Sequence, residues 1–289
     1  MKNKLFCGDN LEIMKTMPDC SIDLICTDPP YNSNRDFNDF DDRWDSDEQY
    51  LNFMILRMVE MYSLLKDTGS FYLHCDLTMS HYLKVELDKI FGKKNFRNEI
   101  IWHHPKISQA KKYFTSNTDT LLFYTKSDEY TFNPQKGNKP NELYTKFKSK
   151  LHNDRLYYKK AKNMTNSVAL SKCRVVSKEL GRPLKDDDII LDFTLEKNMK
   201  NIDNVWKISF LKGNSKEYLK YSTQKPIKLY QRIIKASSNP GDLVFDPFCG
   251  SGTTIDAAIE LGRFYVGIDK NPEAIKLTKK RIEKNYSLF

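Results

Sequence analysis

The chain reads as an α/β protein with a doubly wound, mostly parallel sheet and an inserted basic module. Three observations carry that reading. Ser21 to Thr27 is a short apolar run that stops at Asp28-Pro29-Pro30-Tyr31, the mark of a buried strand with an abrupt end. Near the other terminus, Asp242 to Phe245 leads into Asp246-Pro247-Phe248-Cys249-Gly250-Ser251-Gly252-Thr253-Thr254. A helical stretch to Leu261 follows, then a strand from Arg263 to Ile268 that ends in Asp269. Strand, glycine-rich turn, helix, strand and acid form the repeating unit of a parallel sheet. Between these ends, helical and strand-like runs alternate up to about residue 132, where the pattern stops.

Leu5-Phe6-Cys7 is a short apolar run ending at Gly8-Asp9, and Asp9 or Asn10 is placed to cap a short helix through Met17, stopped by Pro18. Asp9 therefore has two readings, a helix cap or a site residue at a strand end. Asn32 to Asp45 is a polar loop with Phe37, Phe40 and Trp44. A loop of that length in a compact domain is usually a functional lid or is ordered by a partner. Ser46-Asp47-Glu48-Gln49 resembles a capping box and opens a helix from Tyr50 to Leu65, whose Met54, Met58 and Met61 read as core packing. Asp67-Thr68-Gly69 ends that helix, and Ser70 to Cys75 reads as the next strand. His81 to Phe91 is a helix with Gly92 as its C-cap. Glu99 to Trp102 and Thr120 to Tyr124 read as strands. Thr223-Gln224-Lys225-Pro226 leads into a helix with Pro226 near its first turn, and a last helix runs from Pro272 to about Asn285.

The basic charge is concentrated. Residues 133–220 hold 20 Lys+Arg against 10 Asp+Glu, and the rest of the chain holds 27 against 28. In the central segment lysines interleave with tyrosines, as at Tyr144, Lys146, Lys148, Tyr157 and Tyr158. A basic module on a near-neutral body suits a polyanionic partner, although a solvated lysine-rich surface has the same composition. The expected organisation is one domain from residues 1–132 plus 221–289, with 133–220 as a separate module. None of the six cysteines forms a C-x-x-C pair, which points to buried thiols in a reducing compartment. Adjacent His103 and His104 point apart in a strand, so no metal site is expected there. No run approaches membrane length and no signal-peptide core opens the chain. The expected location is cytoplasmic, with no membrane partner.

The two turns suggest chemistry. Pro29 and Pro30 fix φ and have no N–H to give a sheet, and Pro29 pushes Asp28 out of the helical region. The result is a stiff strand end that presents a carboxylate, the Pro29 carbonyl and the Tyr31 ring together. An aromatic amine fits such a set, since two acceptors take its hydrogens and the ring stacks on its base. A plain proline-capped strand end is the simpler alternative. Gly250 and Gly252 let the backbone approach a ligand. Asp269 is placed to hold two ribose hydroxyls. Asp246 would repel a pyrophosphate but suits the ammonium of a cationic cofactor such as S-adenosylmethionine. The turn lacks the Gly-Lys-Ser/Thr of a P-loop and the full dinucleotide fingerprint; an ordinary βα turn is its simpler reading. Ligands of doubly wound sheets bind beyond the carboxyl ends of the strands, so Asp28 and Asp246 are expected to face one crevice.

These residues resemble the β class of amino-group DNA methyltransferases, in which the catalytic motif precedes the cofactor motif. Asp28-Pro29-Pro30-Tyr31 matches the family's D-P-P-Y, and Asp246 to Thr254 matches its D-P-F-x-G-S-G-T-T loop. Thr223-Gln224-Lys225-Pro226 is similar to its T-x-K-P element at the methionine end of the cofactor. Gly267-Ile268-Asp269 is similar to its ribose-binding strand end, and Gly8-Asp9 to an element near the adenine. The resemblance spans residues 1–130 and 221–289. It implies methyl transfer from S-adenosylmethionine to an exocyclic nitrogen in double-stranded DNA after base flipping. The leading aspartate favours adenine N6 over cytosine N4. Catalytic residues would be Asp28, Pro29, Pro30 and Tyr31. Cofactor residues would be Asp9, Lys225, Asp246, Phe248, Gly250, Gly252, Thr253 and Asp269. The basic module occupies the place of the family's target recognition region. The resemblance leaves room for a homodimer, with the Trp44 loop and following helix as interface, and for a cognate restriction endonuclease. A non-catalytic DNA-binding relative, an enzyme acting on an RNA base or a glutamine amide, and a nicotinamide oxidoreductase are the competing readings.

Overall fold

The computed structural model describes residues 2–37, 40–105, 111–140, 150–152, 155–157, 181, 190–191 and 199–286. The chain forms two compact units, Met1–Asn133 with Asp203–Phe289, and Pro134–Ile202.

The first unit holds an eight-stranded sheet. Its strands are β1 (Lys4–Cys7), β2 (Ile22–Thr27), β3 (Leu65–Cys75), β4 (Phe96–His103), β5 (Thr118–Thr125), β6 (Val205–Lys207), β7 (Leu243–Asp246) and β8 (Phe264–Asp269). Their spatial order is β1-β8-β7-β2-β3-β5-β4-β6. Every neighbouring pair is parallel except those that β5 makes with β3 and with β4. The mostly parallel sheet is therefore present, with one reversed strand. Its central strands are apolar on both faces, as burial by two layers demands: Leu24, Ile25, Cys26, Val244 and Phe245 are all inaccessible to solvent.

Two helical layers supply that burial. Helices α1 (Asn10–Met14), α2 (Asp47–Leu64) and α3 (Ser80–Leu87) pack together; α4 (Ile227–Ser237), α5 (Thr253–Glu260) and α6 (Pro272–Tyr286) form a second linked group. Ser46 caps α2 by accepting from the Gln49 N–H, and Gln49 accepts from the Asp45 N–H, a near relative of the expected capping box. Met54, Met58 and Met61 are fully buried with Ile22, Phe71 and Phe245.

The structure differs from the sequence reading in several places; the helix expected over His81–Phe91, for one, is α-helical over Ser80–Leu87 and continues as a π-helical turn, Asp88–Gly92. The segment 32–45 contains a hairpin, Arg35–Phe37 against Phe40–Asp42. Strand β3 starts at Leu65, and its register against β2 jumps from Ile22↔Leu65 to Leu24↔Ser70, so residues 66–69 bulge out of the ladder. Helix α1 ends at Met14 rather than Met17. Residues 203–220 belong to the first unit, because β6 adds in parallel to β4 with Trp206 beside Trp102. In the second unit the described residues form two small sheets, one of Lys136–Pro140 with Met199–Asn201 and one of Lys150–His152, Arg155–Tyr157 and Ile190–Leu191. Much of the lysine–tyrosine interleaving, including Tyr144, Lys146 and Tyr158, lies outside the described residues.

Candidate active site

Strands β2 and β7 are neighbours, with Leu24 opposite Val244 and Ile25 opposite Phe245. Their ends therefore deliver both motifs to one edge of the sheet. Thr27 Oγ1 donates to Asp246 Oδ1 at 2.9 Å. One cleft is lined by Asp9, Asp28, Pro29, Pro30, Tyr31, Lys225, Asp246, Phe248, Gly250, Thr253 and Asp269. Eleven of the twelve residues expected from the sequence thus meet. Gly252 stands behind this surface: its φ is +75°, and a Cβ there would lie 2.5 Å from Thr278 Cγ2. It shapes the turn from below.

At one end of the cleft is the tetrapeptide. The Tyr31 hydroxyl donates to Asp28 Oδ1, and Lys225 Nζ donates to Asp28 Oδ2 at 2.5 Å and to Tyr31 Oη at 3.0 Å. Burial, reinforced by the nearby Asp28 charge, pushes the Tyr31 phenol well above its usual range, so it keeps its proton and acts as donor. The resemblance puts Lys225 at the methionine end of the cofactor; in the structure it lines the shared cleft, and its ammonium pairs with the Asp28 carboxylate. The turn is pinned from behind, where Tyr50 Oη donates to the Pro30 carbonyl at 2.8 Å. Beyond it, Asn32 adopts a left-handed φ of 60°, and the buried Asp42 carboxylate accepts the N–H groups of Asn32 and Ser33, both at 2.9 Å. The hairpin is thereby tied to the tetrapeptide.

The other end is built by the glycine turn. Asp269 accepts from the Gly250 N–H through Oδ2 at 2.9 Å and from the Asn271 N–H through Oδ1 at 2.8 Å. Each oxygen retains a lone pair for a hydroxyl. Burial raises the Asp269 carboxyl against those N–H contacts. Burial likewise pushes Asp246 up to about 7, opposed by hydrogen bonds from Thr254, the Phe248 N–H and Thr27. A carboxylate so desolvated gains from a cation beside it. Trp44 Nε1, in the cleft wall, is a buried donor with no partner among the described residues. Phe53 and Phe248 both line the cleft, their ring centroids 6.2 Å apart and their planes tilted by 55°, and give it an apolar wall. An acid for a cation, an acid for a ribose and an apolar wall for a base together fit S-adenosylmethionine.

Asp9 Oδ1 accepts from the Leu11 N–H at 2.8 Å as an N-cap, and the same side chain lines the cleft, paired with Arg57 at 3.0 Å. Sequence reasoning missed Arg57 and Asn10. Arg57 Nε donates to Asn10 Oδ1 at 2.7 Å, and Asn10 Nδ2 donates to the Pro247 carbonyl at 2.8 Å. This chain of hydrogen bonds links α2, α1 and the cofactor loop. Its only sequence signal is an arginine inside the otherwise apolar stripe of an amphipathic helix. His74 was also missed; its Nδ1 lies 3.2 Å from Asp28 Oδ1. No group of three or more potential metal ligands occurs among the described residues, and no described helix is long and apolar enough to cross a membrane.

Comparison with known proteins agrees with this geometry. The family profile N6_N4_Mtase, described as DNA methylase, matches residues 22–280. The type II methyltransferase M.HpaI of Haemophilus parainfluenzae is 29% identical over 100% of this chain and 77% of its own length. The DNA adenine methyltransferase YhdJ of Escherichia coli (strain K12) is 29% identical over 96% and 81%. The solved PvuII DNA methyltransferase, described as cytosine-N4-specific, superposes with a TM-score of 0.62 at 16% identity, covering 97% of this chain and 86% of that one. The chain therefore belongs to the DNA methylase family and is an S-adenosylmethionine-dependent DNA methyltransferase.

Proposed function

We propose that the chain methylates the exocyclic N6 of adenine at a specific site in duplex DNA, after flipping the base into the Tyr31 end of the cleft. The observation that carries this reading is the shared cleft, in which Asp28 follows β2 and Asp246 ends the neighbouring β7. When bound, S-adenosylmethionine supplies an electrophilic methyl group. The chain's own residues do the rest. Tyr31 leaves Asp28 and stacks on the base. Asp28 and the Pro29 carbonyl accept the two amino hydrogens and aim the nitrogen lone pair. Lys225 holds the second oxygen of Asp28 throughout, and the carboxylate receives the amino proton once the methyl group is attached. Holding both reactants in line is the main source of rate, of order 7–11 kcal/mol in well-oriented cases.

The unit Pro134–Ile202 is the proposed target recognition module, since it carries 16 Lys+Arg against 8 Asp+Glu. A second copy of the chain is proposed to dock on the outer face of α2, where Leu56 and Val59 are exposed; sedimentation at working concentration tests this. A cognate nuclease is part of the same proposal, tested by whether methylated DNA resists a restriction enzyme of the same specificity.

The central test uses duplex DNA and labelled S-adenosylmethionine, followed by digestion to nucleosides. N6-methyladenine is the expected product, and N4-methylcytosine would replace the adenine assignment. Asp28→Ala is expected to abolish transfer while cofactor binding persists; full activity in that variant would remove the proposed role of the tetrapeptide.

A further inference from the structure

Behind the tetrapeptide, four neighbouring strands deliver one titratable group each to the same sheet edge. Asp28 follows β2, His74 lies near the end of β3, Asp119 opens the reversed strand β5, and His104 follows β4. His74 Nδ1 is 3.2 Å from Asp28 Oδ1, and His74 Nε2 is 3.4 Å from Asp119 Oδ2. His104 Nε2 approaches the same Asp119 oxygen at 3.3 Å. The two imidazoles are almost fully enclosed, at 1% and 0% side-chain exposure. Trp102 meets the His74 ring edge-on at 5.4 Å, and Tyr31 lies beside it at 5.6 Å. The ring nitrogens stand at ion-pair distance but off line for a full hydrogen bond, a looseness common in ligand-free sites that tighten on binding.

A ring nitrogen facing a carboxylate attracts it only as an N–H. Both nitrogens of His74 face carboxylates, and only the imidazolium has two N–H groups. Charge balance agrees. Asp28 and Asp119 carry two negative charges and Lys225 one positive, so one imidazolium closes the set at zero, and His74 meets both carboxylates whereas His104 meets Asp119 only. A neutral ring would leave one enclosed carboxylate unmatched, which is costly. Burial alone would raise the Asp119 carboxyl, yet the contacts with His104 and His74 hold it well below its ordinary range.

We propose that His74 is a positioning residue of the acceptor pocket: an imidazolium braced by Asp119 that takes over Asp28 Oδ1 when Tyr31 leaves it to stack on the base. This rests on the reading of Asp28 as the acceptor of the amino hydrogens. In the ligand-free chain Oδ1 is shared between Tyr31 Oη and His74 Nδ1. Departure of the hydroxyl would let the carboxylate rotate about Lys225. The buried ring, unable to move, prevents that rotation.

The test is steady-state methylation of duplex DNA by the full chain, with cofactor affinity measured separately. His74→Asn is expected to lower kcat about 10²-fold, the cost of a misplaced reacting group, and to leave cofactor affinity unchanged. Asp119→Asn, which keeps the ring but removes its brace, should do the same. Nitrogen NMR of histidine-labelled wild type should show both His74 nitrogens protonated, a signature that Asp119→Asn removes. Wild-type kcat in a folded His74→Asn variant, or a single neutral tautomer at His74 in wild type, overturns the proposal. The spectroscopic arm decides even where His74→Asn does not fold. An active Asp28→Ala would instead overturn the functional reading itself, so the two failures are distinct.

Discussion

Thr27 and Asp246, 219 positions apart in sequence, share a hydrogen bond of 2.9 Å between the last residues of two adjacent strands. The bond joins the acceptor half of the site to the cofactor half. It also gives a hydroxyl to a carboxylate whose burial pushes it up to about 7.

That value sets a pH dependence. The folded group titrates above the ordinary 3.8, so between those pH values the native chain holds a proton that the unfolded chain has released. Stability therefore falls as pH rises from about 4 to about 7, by roughly 4 kcal/mol in the limit. A cation beside Asp246 favours the ionised form, so S-adenosylmethionine affinity should rise with pH through about 7. Asp246→Asn should raise the Tm of the free chain at about pH 8 and flatten that profile. Calorimetric titration at several pH values checks both, and a flat profile in the wild type counts against a cation at Asp246.

Gly252 is a second point of attack. At φ +75° a side chain is strained, and a Cβ would press into Thr278. Gly252→Ala is expected to cost roughly 2–4 kcal/mol of stability and to weaken cofactor binding by displacing the turn. Thermal melts and cofactor titration read the two effects.

Arg57 gives a third. Its side chain is 6% exposed, whereas Asp9 is 53% exposed, so their ion pair contributes little by itself. The hydrogen bond to the enclosed Asn10 matters more. Arg57→Leu should destabilise by roughly 1–3 kcal/mol and raise KM for the cofactor more than it lowers kcat. Asn10→Ala, which cuts the same chain of hydrogen bonds one link later, should show the same split.

The basic unit predicts a salt effect. Replacing lysines in residues 134–202 by glutamine should weaken DNA binding and reduce the slope of log affinity against log salt, by about one for each phosphate no longer neutralised. Cofactor affinity should not change. Fluorescence anisotropy over a salt series measures the slope.

The parts legible in the sequence were those whose chemistry is local. Pro29, Pro30 and Gly250 dictate backbone by themselves, so the two turns could be placed without knowing the sheet. The hairpin at 35–42 was hidden because its strands are three residues each and carry no clear alternation. β6 was hidden for the same reason; three residues become a strand only because β4 offers an edge. His74, Asp119 and His104 were unreadable in principle. Each is unremarkable in its own strand, and only the order β3-β5-β4 makes them neighbours.

That strand order also constrains biosynthesis. β7 sits between β2 and β8, and among the described residues β1 pairs with β8 alone. Until the ribosome has delivered β7 and β8, the completed acceptor strand therefore shows a bare apolar edge, and the first strand has nothing to join. The nascent chain is exposed to edge-to-edge association throughout that interval.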